Sequence, residues 1–212
     1  MTADTQPPLV SRLEGSEVPL PRLAGTPNTV ENEKKPVFHF PVKVALKTDE
    51  GLRKHAHVTP AVKGYGAYEL WSDEGTGLPP GADSAPAPLV YFAAGAAFCL
   101  TSHLTTLIND RELDVRNLEV ESELSFGYVN GETGQRAVCL GLRYLVDIDS
   151  DEPQERLRSL IQEAKGLCLA EAALSQPVSI QTLLAVNGDV VDPDIATEPG
   201  SLGQIAFPTA SR

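Results

Sequence analysis

PLVYFAAGAAFCLTSHLTTLIN, residues 88–109, is the longest apolar run in the chain, and its reading decides the fold. It is longer than a typical strand and its Ala-rich composition favours helix. Pro88 brings a preset φ to the first turn, where its missing N–H leaves no helix bond unmade, and Asp83 and Ser84 lie just upstream. Ala93, Ala94, Gly95, Ala96 and Ala97 present almost no side chain, so a sheet or a second helix can approach the backbone closely. The expectation is a helix buried on most of its circumference. Its length would also span a bilayer, but Thr101, Ser102, His103, Thr105, Thr106 and Asn109 make the second half too polar for that reading.

Upstream, residues 1–36 carry Pro, Thr, Glu and Asn without a sustained period, which predicts an extended or disordered N-terminal segment. From Val37 an alternating stretch reaches Leu46, with Pro41 marking an edge or a bulge. Thr48-Asp49-Glu50-Gly51 reads as a turn, residues 52–59 as the returning arm, and Ala67–Trp71 as a third strand. A Gly/Pro-rich loop over 72–87 leads into the helix. Downstream, residues 118–128 and 137–148 form a hairpin around Asn130-Gly131-Glu132-Thr133-Gly134. Pro153–Lys165 follows as an amphipathic helix broken at Gly166, then a short helical piece from Cys168 and a last strand over 178–184. Residues 188–212 read as a tail. Three strands, a buried helix, two strands, two helices and one strand define an α+β domain over 37–187.

The chain has 212 residues and a formal charge of −12, with a pI near 4.7. Without clustered Lys and Arg, neither nucleic acid nor an anionic membrane is expected as a partner. The N-terminus shows no basic segment followed by an apolar core, so a cytoplasmic location is expected. Three widely spaced cysteines suggest neither a disulfide scaffold nor a CxxC zinc site.

Cys99 and Cys168 are the candidates for chemistry, one within a helix and one at a helix start. Taken singly, each reads first as a small buried hydrophobe. Cys168 is better placed for a lowered pKa, because helix-dipole effects fade beyond the first turn. Cys139, in an alternating strand, reads as structural. His55 and His57 share a strand face, as metal ligands do, but the sequence offers no evident third ligand. Cys99 and His103, four apart on one helix, could imitate a nucleophile and base, without a third group to orient them.

Phe92-Ala93-Ala94-Gly95-Ala96-Ala97-Phe98-Cys99-Leu100, preceded by Pro88, resembles the central helix of the OsmC/Ohr family (osmotically inducible protein C and organic hydroperoxide resistance protein). Ala164-Lys165-Gly166-Leu167-Cys168, then Ala173 and Pro177-Val178-Ser179-Ile180, is similar to the family's second-cysteine segment and last strand. The resemblance implies an OsmC-like fold in an intertwined homodimer and a thiol peroxidase acting on organic hydroperoxides. By it, Cys99 would become a sulfenic acid, Cys168 would condense with it to a disulfide, and an external dithiol would restore both. No metal or organic cofactor is implied. The family's supporting arginine comes from its first hairpin, where Arg53 is the arginine of this chain, with a solvated surface charge as its other reading. Two departures stand out: Leu89 replaces the glutamate of the family's helix opening, which Asp73 and Glu74 could replace if they are not plain loop charges, and Leu169 replaces a proline. The alternative they leave is a dimeric small-molecule-binding protein of the same fold with weakened catalysis.

Overall fold

The computed structural model describes residues 8–13, 38–131, 134–176, 178, 180–192 and 195, so most of the expected N-terminal segment and tail lies outside the described residues. By internal contacts the chain forms two units, which divide between Val90 and Tyr91.

In the first unit, Pro41 cannot donate to a ladder, and strand β2 (Val42–Thr48) starts immediately after it, while Val37, where the alternating stretch begins, lies outside the described residues. A turn closed by Asp49 N–H to the Arg53 carbonyl (2.9 Å) and Arg53 N–H to the Glu50 carbonyl (3.1 Å) returns the chain into β3 (Lys54–Pro60). Gly51 sits there at φ 64°, a conformation that a side chain would strain. β3 pairs with β4 (Ala67–Ser72). β4 also pairs with β1 (Val10–Leu13), giving an antiparallel sheet ordered β1-β4-β3-β2. β1 falls within the segment read as extended or disordered: four alternating residues are too few to stand out among prolines, yet they suffice to cover an exposed strand edge.

The loop after β4 turns around Asp73. This carboxylate is buried and accepts from the Ser84 hydroxyl at 2.8 Å and from the backbone N–H groups of Ser84, Ala82 and Glu74. Those bonds, the Ser84 side chain foremost, hold its pKa down to about 2. Glu74 pairs instead with Lys54 at 3.3 Å.

The second unit is built on α1 (Pro88–Asp110), whose first turn lies in the first unit. α1 is long and apolar enough to cross a membrane by length and composition. The hydroxyls of Thr101, Ser102 and Thr106 donate back to the carbonyls of Ala97, Phe98 and Ser102 in the preceding turn. The strands β5 (Val115–Gly131) and β6 (Gly134–Ser150) form a long hairpin, followed by α2 (Gln154–Leu167) and α3 (Leu169–Ser175). α2 continues through Gly166, correcting the expected break, and stops where Cys168 turns to an extended ψ of 106°. The last strand is also corrected. Among the described residues of 178–183 there is no strand, and a small hairpin of β7 (Leu184–Val186) and β8 (Asp189–Asp192) follows, running into the stretch read as tail.

Leu100, Leu104 and Leu107 of α1 pack with Leu113, with Leu160 and Ala164 of α2, and with Cys168. Leu118, Val120, Tyr144, Val146 and Ile148 of the hairpin close over this core. Only this stripe of α1 is buried, together with Ala96. Leu89, Val90, Phe92 and Phe98 are exposed, Phe98 to 71%. A helix buried on most of its circumference is therefore not what one copy of the chain builds.

Candidate functional site

Helical spacing puts Cys99 beside the buried Leu100, and the end of α2 carries Cys168 into the same core. All three cysteines are free thiols. Cys99 packs against the core cluster that buries Cys168, on segments 69 positions apart (168 − 99). Cys168 is also the N-cap of α3, where its sulfur accepts from the Glu171 backbone N–H at 3.5 Å. Burial outweighs that bond. It pushes the Cys168 thiol up, and the neighbouring Cys99 adds to the rise. This reverses the expected lowering, because Cys168 is only 1% exposed and desolvation penalises its thiolate.

Three further side chains cluster beside this core: Tyr144, Lys165 and Glu171. Tyr144 of β6 points its hydroxyl toward the Ala96 carbonyl at 3.4 Å. Its pKa is pushed up to about 12, by burial above all and then by the charges of Cys168, Glu171 and Cys99. Lys165 places its ammonium 2.6 Å from Glu171 Oε1 and 5.9 Å from the Tyr144 ring centroid. The other Glu171 oxygen is buried with no hydrogen-bond partner among the described residues. The sequence reading missed this trio. One signal was available: Cys168-x-x-Glu171 has the spacing of a capping box with Cys in place of Ser or Thr.

A cleft of about 630 Å³ opens beside these groups, lined by Leu100, Tyr144, Lys165 and Glu171 among others. Cys139 also lines it, although alternation along β6 places Cys139 on the face opposite Tyr144. The hairpin register shifts between Ser125 and Phe126, so that Ser125 pairs with Gly141 and Phe126 with Cys139, leaving Leu140 as the extra residue. Gly141 makes the bend at φ 146°. Past this bulge the parity changes and Cys139 turns to the cleft side.

Arg53 sits at the β2–β3 turn of the first unit, its guanidinium carbon 4.3 Å from the Trp71 ring centroid. Its Nε is buried without a hydrogen-bond partner among the described residues. No hydrogen bond is found between Cys99 and His103. His55 and His57 do acquire a third neighbour absent from the local sequence, Glu69 of β4.

Residues 81–183 match the OsmC-like protein family. This stretch, just under half of the chain, carries the similarity to that family, and the elements show a mixed α+β fold. The structure is similar to that of an OsmC-like hydroperoxide resistance protein from Jannaschia sp., 24% identical, covering 71% of this chain and 95% of that one, with a TM-score of 0.47. It is also similar to an organic hydroperoxide resistance protein OsmC from Legionella pneumophila, 21% identical, covering 66% and 91%, with a TM-score of 0.43. A third is a putative organic hydroperoxide resistance protein from Vibrio cholerae with captopril bound, 17% identical, covering 72% and 94%, with a TM-score of 0.44. Among curated proteins, none matches the sequence.

Proposed function

We propose that the protein is a thiol-dependent peroxidase that reduces organic hydroperoxides. The observation that carries this reading is the placement of the free thiols of Cys99 and Cys168 in one core. In the first step the Cys99 thiolate attacks the distal peroxide oxygen. The O–O bond breaks, the alkoxide takes a proton to leave as an alcohol, and Cys99 becomes a sulfenic acid. The Cys168 thiol then displaces hydroxide, which leaves as water, and a Cys99–Cys168 disulfide forms. An external dithiol returns the two electrons. Cys168, kept protonated by burial, suits the second step, in which its proton goes to the departing water.

Arg53 is the cation we assign to the Cys99 thiolate. Its support is the resemblance of the first hairpin, together with a guanidinium held on Trp71, the Arg53 Nε having no hydrogen-bond partner among the described residues. We assign a homodimer, because the exposed apolar side of α1 needs cover. The same reading places the protein in the cytoplasm, with no nucleic-acid or membrane partner and no metal or organic cofactor in the peroxidase step.

A second reading has its own observation. The 630 Å³ cleft falls in the range of small-molecule sites, and Leu89 stands where the family opens its helix with glutamate. This favours a dimeric binding protein with weakened catalysis. Stoichiometric consumption of an organic hydroperoxide by the reduced protein separates the two. The peroxidase reading expects Cys99→Ser to abolish consumption, Cys168→Ser to allow one turnover and then stall, and Arg53→Ala to slow the first step. If the reduced wild type consumes no more than Cys99→Ser, the binding protein takes its place.

A further inference from the structure

We infer that His55, His57 and Glu69 form a binding site for a divalent first-row transition cation, with zinc the best match. The site lies in the first unit and does not depend on the peroxidase reading.

The register builds it. His55 and His57 are two apart on β3 and so project from one face, and β4 sets Trp71 opposite His55 and Glu69 opposite His57. β1 sets Ser11 opposite Glu69 on that same face. The Nε2 of His55 lies 2.5 Å from Glu69 Oε1, and the Nε2 of His57 lies 3.5 Å from the same oxygen. One ligand atom from each of the three residues falls within 4.8 Å of the other two. A tetrahedral zinc with metal–ligand bonds near 2.0–2.1 Å needs donors about 3.3 Å apart, so closure requires shifts of about an ångström. Two imidazoles and one carboxylate suit zinc and its neighbours in the first row rather than magnesium or calcium, which take oxygen.

The surroundings orient these donors. Ser11 Oγ donates to Glu69 Oε2 at 3.2 Å, leaving Oε1 to face both imidazoles. The His55 ring stacks on Trp71 with centroids 4.4 Å apart and planes 13° from parallel. A lone histidine–carboxylate hydrogen bond would account for one imidazole; here two converge on one oxygen, the arrangement that a shared cation replaces. All three side chains are between 25% and 29% exposed. An ion can therefore enter, and a fourth position is left to water.

Trp71 is the only tryptophan in the chain, and its stack on His55 makes it a local reporter. The full-length reduced protein is titrated with Co²⁺ at neutral pH, following Trp71 emission and the Co²⁺ absorption spectrum. The expected result is saturable quenching at one equivalent, reversed by a chelator and by competing Zn²⁺, without sulfur-to-cobalt charge transfer. His57→Ala and Glu69→Gln should weaken binding at least tenfold, and Ser11→Ala, one shell further out, by about tenfold. Circular dichroism and metal-free emission check the fold, and Glu69→Gln, nearly isosteric, decides if His57→Ala does not fold. The proposal is overturned by the absence of saturable quenching, by unchanged affinity in Glu69→Gln, or by thiolate charge transfer that tracks the quenching and moves the ion to the cysteines.

Discussion

The backbone N–H of Glu171 is directed at the sulfur of Cys168 from 3.5 Å, across a helix cap where Ser or Thr is the usual acceptor. That bond favours the thiolate, but burial acts more strongly in the opposite sense. Cys168 is therefore a held, protonated thiol rather than an activated one.

Timed alkylation of the native reduced protein should modify the exposed Cys139 first, the half-buried Cys99 next and Cys168 last. Mass spectrometry of the quenched samples reads the order. Modification of Cys168 ahead of Cys139 at neutral pH would show that desolvation does not govern this thiol.

Tyr144 gives a pH signature. Its folded pKa of about 12 stands above the ordinary value of 10, so the folded state holds this proton more tightly than the unfolded chain. The stability it contributes is complete below pH 10 and is lost as pH rises from 10 toward 12. Denaturant melts of wild type and Tyr144→Phe should diverge in slope across that window only. At pH 7 the loss of the long 3.4 Å bond to Ala96 should cost at most about 1 kcal/mol.

Asp73 acts at the acid end. With a folded pKa of about 2 against an ordinary 3.8, its contribution is complete above pH 4 and is lost as pH falls toward 2. Asp73→Ala should abolish that dependence and speed amide exchange at Glu74, Ala82 and Ser84, whose N–H groups it holds. Unchanged exchange at all three amides would mean that the loop is held by something else.

Phe98 and Leu104 lie six positions apart on α1 with opposite fates, 71% and 0% exposed. Leu104→Ala should lower stability by about 2–5 kcal/mol through a core cavity. Phe98→Glu should leave the monomer's fold intact and shift a dimer to monomer in sedimentation at micromolar concentration. A wild type that sediments as a monomer would leave α1 without the assigned cover.

Much of the fold was legible because local signals agreed with one another. Alternation set β2 and β3, the polar turn joined them, and the apolar period marked α1 and α2. What failed depended on distant partners. β1 is a strand because β4 offers an edge, and Gly166 remains helical inside α2. The site divides the same way. The two thiols were named from their segments, whereas Tyr144 and Glu69 acquire their neighbours through the antiparallel register. Cys139, read as structural, is instead exposed and lines the cleft, because one extra residue, Leu140, reverses parity, and the local alternation carries no mark of it.

The hairpin of β5 and β6 reaches further than the core it serves. Seventeen residues per strand extend about 55 Å, against about 35 Å for α1. The core contacts of Val115, Leu118, Val120, Tyr144, Val146 and Ile148 all fall on the chain-end side of the bulge. One continuous ladder thus holds two regimes of opening. Amides between 115 and 124, with their partners on β6, should exchange only when the second unit unfolds as a whole, while those beyond Phe126 should exchange through local fraying that leaves the thiols enclosed. The far arm can therefore separate and rejoin without disturbing the chemistry at its base.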